Sequence, residues 1–104
     1  MSNFKIIFNE DLKEILPSFM DLTEKDMLEL GRAVNNGDFS KINSIAHSLK
    51  GDSGGYGFND LSDLAFKLEI FSNAEDLEAT KEQYIFIIDH WNELKESYSK
   101  WKVS

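Results

Sequence analysis

His47, Lys50 and Gly51 fall in one short run, Ala46-His47-Ser48-Leu49-Lys50-Gly51-Asp52-Ser53-Gly54-Gly55-Tyr56-Gly57. A free imidazole has a pKa of about 6.5, so it is largely neutral at pH 7 and competent to attack a phosphoryl group. An ammonium at i+3 on a helix is a neighbour of that imidazole and neutralises phosphoryl oxygens. Phosphoryl transfer passes through a loose transition state with charge on three equatorial oxygens, so it needs mainly in-line access and nearby cations. The chain has no glycine-rich phosphate loop after a strand and no acidic cluster beside His47 for magnesium. Any remaining parts must arrive on a partner.

The run sits on a segment with helical periodicity. On a wheel of about 100° per residue, Ile42, Ile45, Ala46, Leu49, Ser53 and Tyr56 form one stripe, the expected core face. His47 lies roughly 150° from the centre of that stripe and points at solvent. Gly51 and Gly54 lie on the His47 side, one and two turns along. A glycine inside a helix costs about 1 kcal/mol relative to alanine, so bare backbone beside an exposed imidazole suits the close approach of a second protein. Gly55 and Gly57 are explained as well by the end of the helix.

Around this segment the chain reads as helices. Leu12, Ile15, Leu16, Phe19, Met20, Met27, Leu30 and Val34 recur at three- and four-residue steps, with Pro17 starting a new helix or kinking the first. Asn35-Asn36-Gly37-Asp38 ends that pattern, and Asp38 or Ser40 can cap the next helix. Asn59 or Asp60 is the expected cap of a segment carrying Leu61, Leu64, Ala65, Leu68 and Phe71, which Ser72-Asn73-Ala74 breaks. A long last helix carries Tyr84, Ile87, Ile88, Trp91, Leu94 and Tyr98 on one stripe, with Glu75, Asp76 and Glu78 as its acidic start. The helices fall roughly at 9–16, 17–36, 39–55, 60–72 and 75–101. Beyond Lys5-Ile6-Ile7-Phe8 no stretch alternates like a strand. Loops this short predict an all-α, antiparallel up-down-up-down four-helix bundle preceded by a short N-terminal helix.

Composition narrows the function. The 104 residues predict one domain spanning 1–104, with no room for a large enclosed active site. Nineteen Asp and Glu against eleven Lys and Arg give a net charge of −8, which disfavours nucleic acid and anionic membranes as partners. That charge is spread as −4 over 1–39, −1 over 40–70 and −3 over 71–104, so the segment around His47 is the least acidic. The absence of cysteine suits a reducing cytoplasm and excludes thiolate chemistry. No apolar run approaches the roughly 20 residues of a membrane span.

The run from His47 to Phe58, with Asn36-Gly37-Asp38-Phe39 before it and Leu61, Leu64, Ala65, Leu68 and Glu69 after it, closely resembles the histidine-containing phosphotransfer domains of bacterial phosphorelays. Their motif is His-x-Leu-Lys-Gly followed by small residues, and the resemblance extends over about residues 10 to 100, including Leu16-Pro17-Ser18-Phe19. It implies that His47 is the phosphorylated residue, that Lys50 steadies the phosphoryl group, and that Gly51 clears space for a receiver domain of a response regulator or a hybrid sensor kinase. Ser44, Ser48, Gly51 and Gly54 are the expected contacts for that partner. The magnesium ion, Mg2+, is expected on the receiver, with no cofactor or metal bound by this chain and no ATP-dependent kinase activity of its own. Asp52 departs from the small residue often found there and could tune partner choice. The start Met1-Ser2-Asn3 suggests a free-standing protein, and a monomer is expected.

Other readings are weaker. Gly51-Asp52-Ser53-Gly54-Gly55 matches serine-nucleophile strings, but Ser53 lies on the expected core face and the strand that a nucleophile elbow requires is absent. Neither His47 nor His90 has a glutamate three residues before it, as bundle metal sites require. His90 reads as a flank residue of the last helix, and Phe86, Trp91, Tyr98 and Trp101 as core. The alternative to phosphotransfer is a helical docking module that binds a receiver or other partner without carrying phosphate; such a module needs neither His47 nor Lys50.

Overall fold

Asn9 opens a single 3-10 turn, Glu10–Leu12, by accepting a hydrogen bond from the Asp11 amide at 2.9 Å. The expected N-terminal helix is only this turn, because Pro17 belongs to the first turn of the next helix, where its fixed φ and missing N–H cost nothing. The computed structural model describes residues 6–103; Met1, Ser2, Asn3 and Lys5 lie outside the described residues. Four helices follow: α1 (Leu16–Asn36), α2 (Phe39–Gly55), α3 (Asn59–Asn73) and α4 (Leu77–Lys102).

Local chemistry sets most of the boundaries. Gly37 ends α1 at φ 65°, a left-handed conformation that glycine adopts without strain. Asp38 caps α2 through the Lys41 amide, and Asp76 caps α4 through the Ala79 amide, both at 3.1 Å. Two expectations change at the other ends. Neither Asn59 nor Asp60 caps α3: the cap position is Phe58, whose ring is buried against Phe19 and Phe8, and helix geometry begins directly after it. Glu75 precedes α4 instead of lying in its first turn, at φ 55°.

Each helix packs on the next, and α4 closes back on α1. The antiparallel register is visible in the cross-links. Asn43 Nδ2 on α2 donates to the Glu69 carbonyl at 3.0 Å and to Ser72 Oγ at 3.3 Å, while near the turn Ser62 Oγ donates to the Lys50 carbonyl at 2.8 Å. Gln83 Nε2 of α4 donates to the Leu64 carbonyl of α3 at 2.9 Å. Leu16, Phe19, Leu30, Ile42, Leu49, Leu61, Leu68, Ile87, Trp91 and Leu94 form the core between the helices. The result is the expected all-α four-helix bundle, with no strand among the described residues. Phe8 closes one end, stacked on Trp101 at 5.1 Å and near Tyr98 and Phe58.

Two aromatic or imidazole positions differ from expectation. Phe86 is exposed, on the outer side of α4. His90 is buried, because α4 packs against two neighbours: Gln83, Ile87, His90 and Leu94 form one stripe and Tyr84, Ile88 and Trp91 the other. That gives α4 a wider buried face than a single stripe predicts.

Candidate functional site

The sequence of α2 points its core residues inward: Ile42, Ile45, Ala46, Leu49 and Ser53 are buried, with Tyr56 packed at the edge. Ser53 has no exposed surface, which removes it as a surface nucleophile. The opposite face carries His47, whose side chain is 68% exposed. Ser44, Ser48, Gly51, Asp52, Gly54 and Gly55 are exposed along the same helix.

The α2–α3 turn brings Glu69 level with His47. His47 Nδ1 lies 2.7 Å from Glu69 Oε2, and Lys50 Nζ donates to Glu69 Oε1 at 2.8 Å. One carboxylate thus spans both residues. Its side chain is 20% exposed, so the pair of contacts is partly shielded from water. The hydrogen bond from Lys50, supported by that from His47, holds the Glu69 carboxyl below its ordinary value of 4.5 despite the opposing effect of burial. An ionised carboxylate only accepts hydrogen bonds, so Nδ1 must be the protonated ring nitrogen. In the neutral imidazole the lone pair then lies on Nε2.

Around this trio the surface is partly apolar and partly bare. Lys50 Nζ sits 5.2 Å from the centre of the Phe66 ring, and Phe66 and Ile70 of α3 are both 49% exposed on either side of Glu69 in sequence. A Cβ placed on Gly51 would meet no atom of the chain within 4 Å, so nothing in the chain's own packing requires a glycine there. Gly54 differs: its Cβ would stand 3.4 Å from Ser62 Oγ, so close packing of α2 on α3 accounts for part of that glycine. Asp52 turns toward α1, where its charge, after the larger effect of burial, helps raise the Asp26 carboxyl above its ordinary value.

His47 and Gly51 therefore lie on one exposed face with the half-buried Lys50 beside them, and Ser44, Ser48 and Gly54 border it. Glu69 was visible in sequence only as one residue of the family resemblance, and no role followed from it. The signal lies in the register. Residues equally distant from the turn at Tyr56-Gly57-Phe58 lie side by side, and that rule sets His47 against about residue 67, less than one helical turn from Glu69. Among the described residues no group of three or more His, Asp or Glu side chains is placed to hold a metal ion. No helix among them is long and apolar enough to cross a membrane. No match was found among curated proteins or among solved structures. The family model for the Hpt domain does match, over residues 14–99, which take in α1, α2, α3 and most of α4, and the chain belongs to that family of phosphorelay histidine phosphotransfer domains.

Proposed function

We propose that the chain is a cytoplasmic phosphorelay carrier in which Nε2 of His47 takes a phosphoryl group from the aspartyl phosphate of a receiver domain and passes it to the aspartate of another. The observation that carries this reading is an imidazole whose side chain is exposed and whose Nδ1 is held by an ionised Glu69, which leaves Nε2 unengaged by that contact. The Nε2 lone pair attacks phosphorus in line; the N–P bond forms as the bond to the aspartate oxygen breaks, and the carboxylate leaves with that electron pair. The Nδ1 proton stays on the ring against Glu69, which balances the positive charge that the ring gains. Lys50 supplies a cation one turn away, and a Mg2+ ion held by the receiver would neutralise the remaining phosphoryl oxygens.

The flanking surface supports a protein partner in place of a small substrate. Gly51 leaves backbone open to approach, with Ser44 and Ser48 as polar contacts, and the exposed Phe66 beside Lys50 and Ile70 next to Glu69 in the chain add apolar area on α3. The chain acts as an intermediate and has no ATP-dependent kinase activity of its own. Incubation with a phosphorylated receiver and Mg2+ should give a base-stable, acid-labile phosphate on the chain. The His47→Gln variant should take up none; label that survives this substitution would reject His47. A receiver that binds but never transfers would leave the pure docking module as the function.

A further inference from the structure

On the side of the bundle formed by α1 and α4, away from the α2–α3 face of His47, lies an open groove of about 510 Å³. Two helical stripes line it, from Glu24 to Asn35 on α1 and from Tyr84 to Lys95 on α4. At 1.5 Å per residue each stripe is about 16 Å long, three turns of helix. The floor is apolar, with buried Met27 and Trp91 and half-buried Ile88, and Leu28 stands on the lip at 58% exposure. Gly31 belongs to this floor for a visible reason: its Cβ would stand 2.7 Å from Tyr84 Oη, so only bare backbone lets the tyrosine lie across it.

The rim presents donors. Both oxygens of Glu24 are occupied inside the groove, Oε2 by Trp91 Nε1 at 2.6 Å and Oε1 by Lys95 Nζ at 3.1 Å. What remains for a ligand is the Arg32 guanidinium, the other protons of Lys95 and the amides of Asn35 and Asn92. Arg32 is the sole arginine of the sequence, it is exposed, and it enters no ion pair among the described residues. In a chain of net charge −8, Glu24 and Lys95 of this groove offset each other, and the Arg32 guanidinium is its surplus charge.

We propose that this groove docks an amphipathic helix of a partner protein, its apolar side chains against Met27, Leu28 and Ile88 and a carboxylate at the edge of its apolar face on Arg32. Two antiparallel helices with a three-turn apolar trough accept a third helix through anchors at i, i+4 and i+7. The Arg32 guanidinium selects the carboxylate, and the acidic balance of the chain disfavours a second copy of it. The docking face shares no residue with the phosphotransfer site, so each can fail without the other.

The test uses the full chain and a fluorescent 16-residue helical peptide with leucines at i, i+4, i+7 and i+11, glutamates beside them and lysines on its outer face. Saturable binding is expected, weakened at least about tenfold by Arg32→Glu and by Leu28→Asp, exposed sites where the fold survives, and unchanged by His47→Gln. A peptide with lysines in place of the edge glutamates should bind at least about tenfold less tightly. Absence of saturable binding, equal binding of the two peptides, or affinity untouched by Arg32→Glu would overturn the proposal. So would a concentration-dependent dimer in sedimentation that Leu28→Asp abolishes, which would assign the groove to a second copy.

Discussion

At the scale of single residues, Glu69 does the most with the least surface. Its carboxylate accepts from Lys50 and fixes the tautomer of His47, and both contacts join α2 to α3 on the exposed side of the bundle. Glu69→Ala should leave the fold intact, since the contacts it removes lie at the bundle surface and no core side chain is lost. It should slow phosphotransfer roughly 10- to 100-fold, the range seen when a histidine at a metal site loses its orienting partner. Nitrogen NMR of the imidazole should then show both tautomers; a single Nδ1–H tautomer with unchanged rates would remove Glu69 from the mechanism. Gly51→Gln separates docking from folding. Replacing an unconstrained helical glycine should raise stability by about 0.5–1 kcal/mol in thermal unfolding, yet weaken receiver binding, because the new side chain occupies open approach space. Normal receiver affinity in that variant would defeat the clearance argument. His47, Lys50 and Gly51 could be read from type and spacing because they share one helix. Glu69, 22 residues beyond His47, could not, since its place depends on the exact register of a turn.

Among the helices, the links are where sequence and structure part. Asp38 and Asp76 act as caps because a short side-chain oxygen reaches the third amide, a signal local enough to read directly. Phe58 takes the cap position of α3 for a non-local reason, its burial among rings from α1 and the N-terminal segment. The α3–α4 link carries a further cost. The amides of Glu75 and Asp76 close a turn on the Ser72 and Phe71 carbonyls, which places Glu75 at φ 55°, where glycine is favoured. Glu75→Gly should therefore raise the unfolding free energy by about 0.5–1 kcal/mol. Urea unfolding checks this, and a loss of stability would mean that the Glu75 side chain makes contributions that outweigh its backbone strain. The burial of His90 has a related, non-local cause. A single stripe predicts one buried face, while α4 meets both α3 and α1.

For the molecule as a whole, buried and partnered titratable groups set how stability depends on pH. Glu69 and Glu24 are held below 4.5, Glu69 chiefly by the hydrogen bond from Lys50 and Glu24 chiefly by that from Trp91, so the stability they contribute is present above that pH and lost as pH falls through their folded values. Burial pushes His90 below 6.5, against the charges of Asp60 and Glu93, so the fold favours its neutral form and loses stability as pH drops below 6.5 toward the folded value. Asp26, raised mainly by burial, works in the opposite direction and relieves strain on protonation. Melting temperature should be level above about pH 7, begin to fall below 6.5 and fall more steeply below 4.5. His90→Gln should flatten the first decline; an unchanged profile would place the early loss elsewhere. The four-helix bundle was legible from periodicity and loop length, whereas the α1–α4 groove was not, since sequence does not give the spacing between two helices distant in the chain. The central claim is that Glu69 holds the His47 Nδ1 proton and leaves Nε2 to carry phosphate. Long-range nitrogen–proton and phosphorus correlations on the phosphorylated chain measure this directly: coupling of phosphorus to Nε2 is the result predicted, and phosphate on Nδ1 or on any residue other than His47 would contradict it.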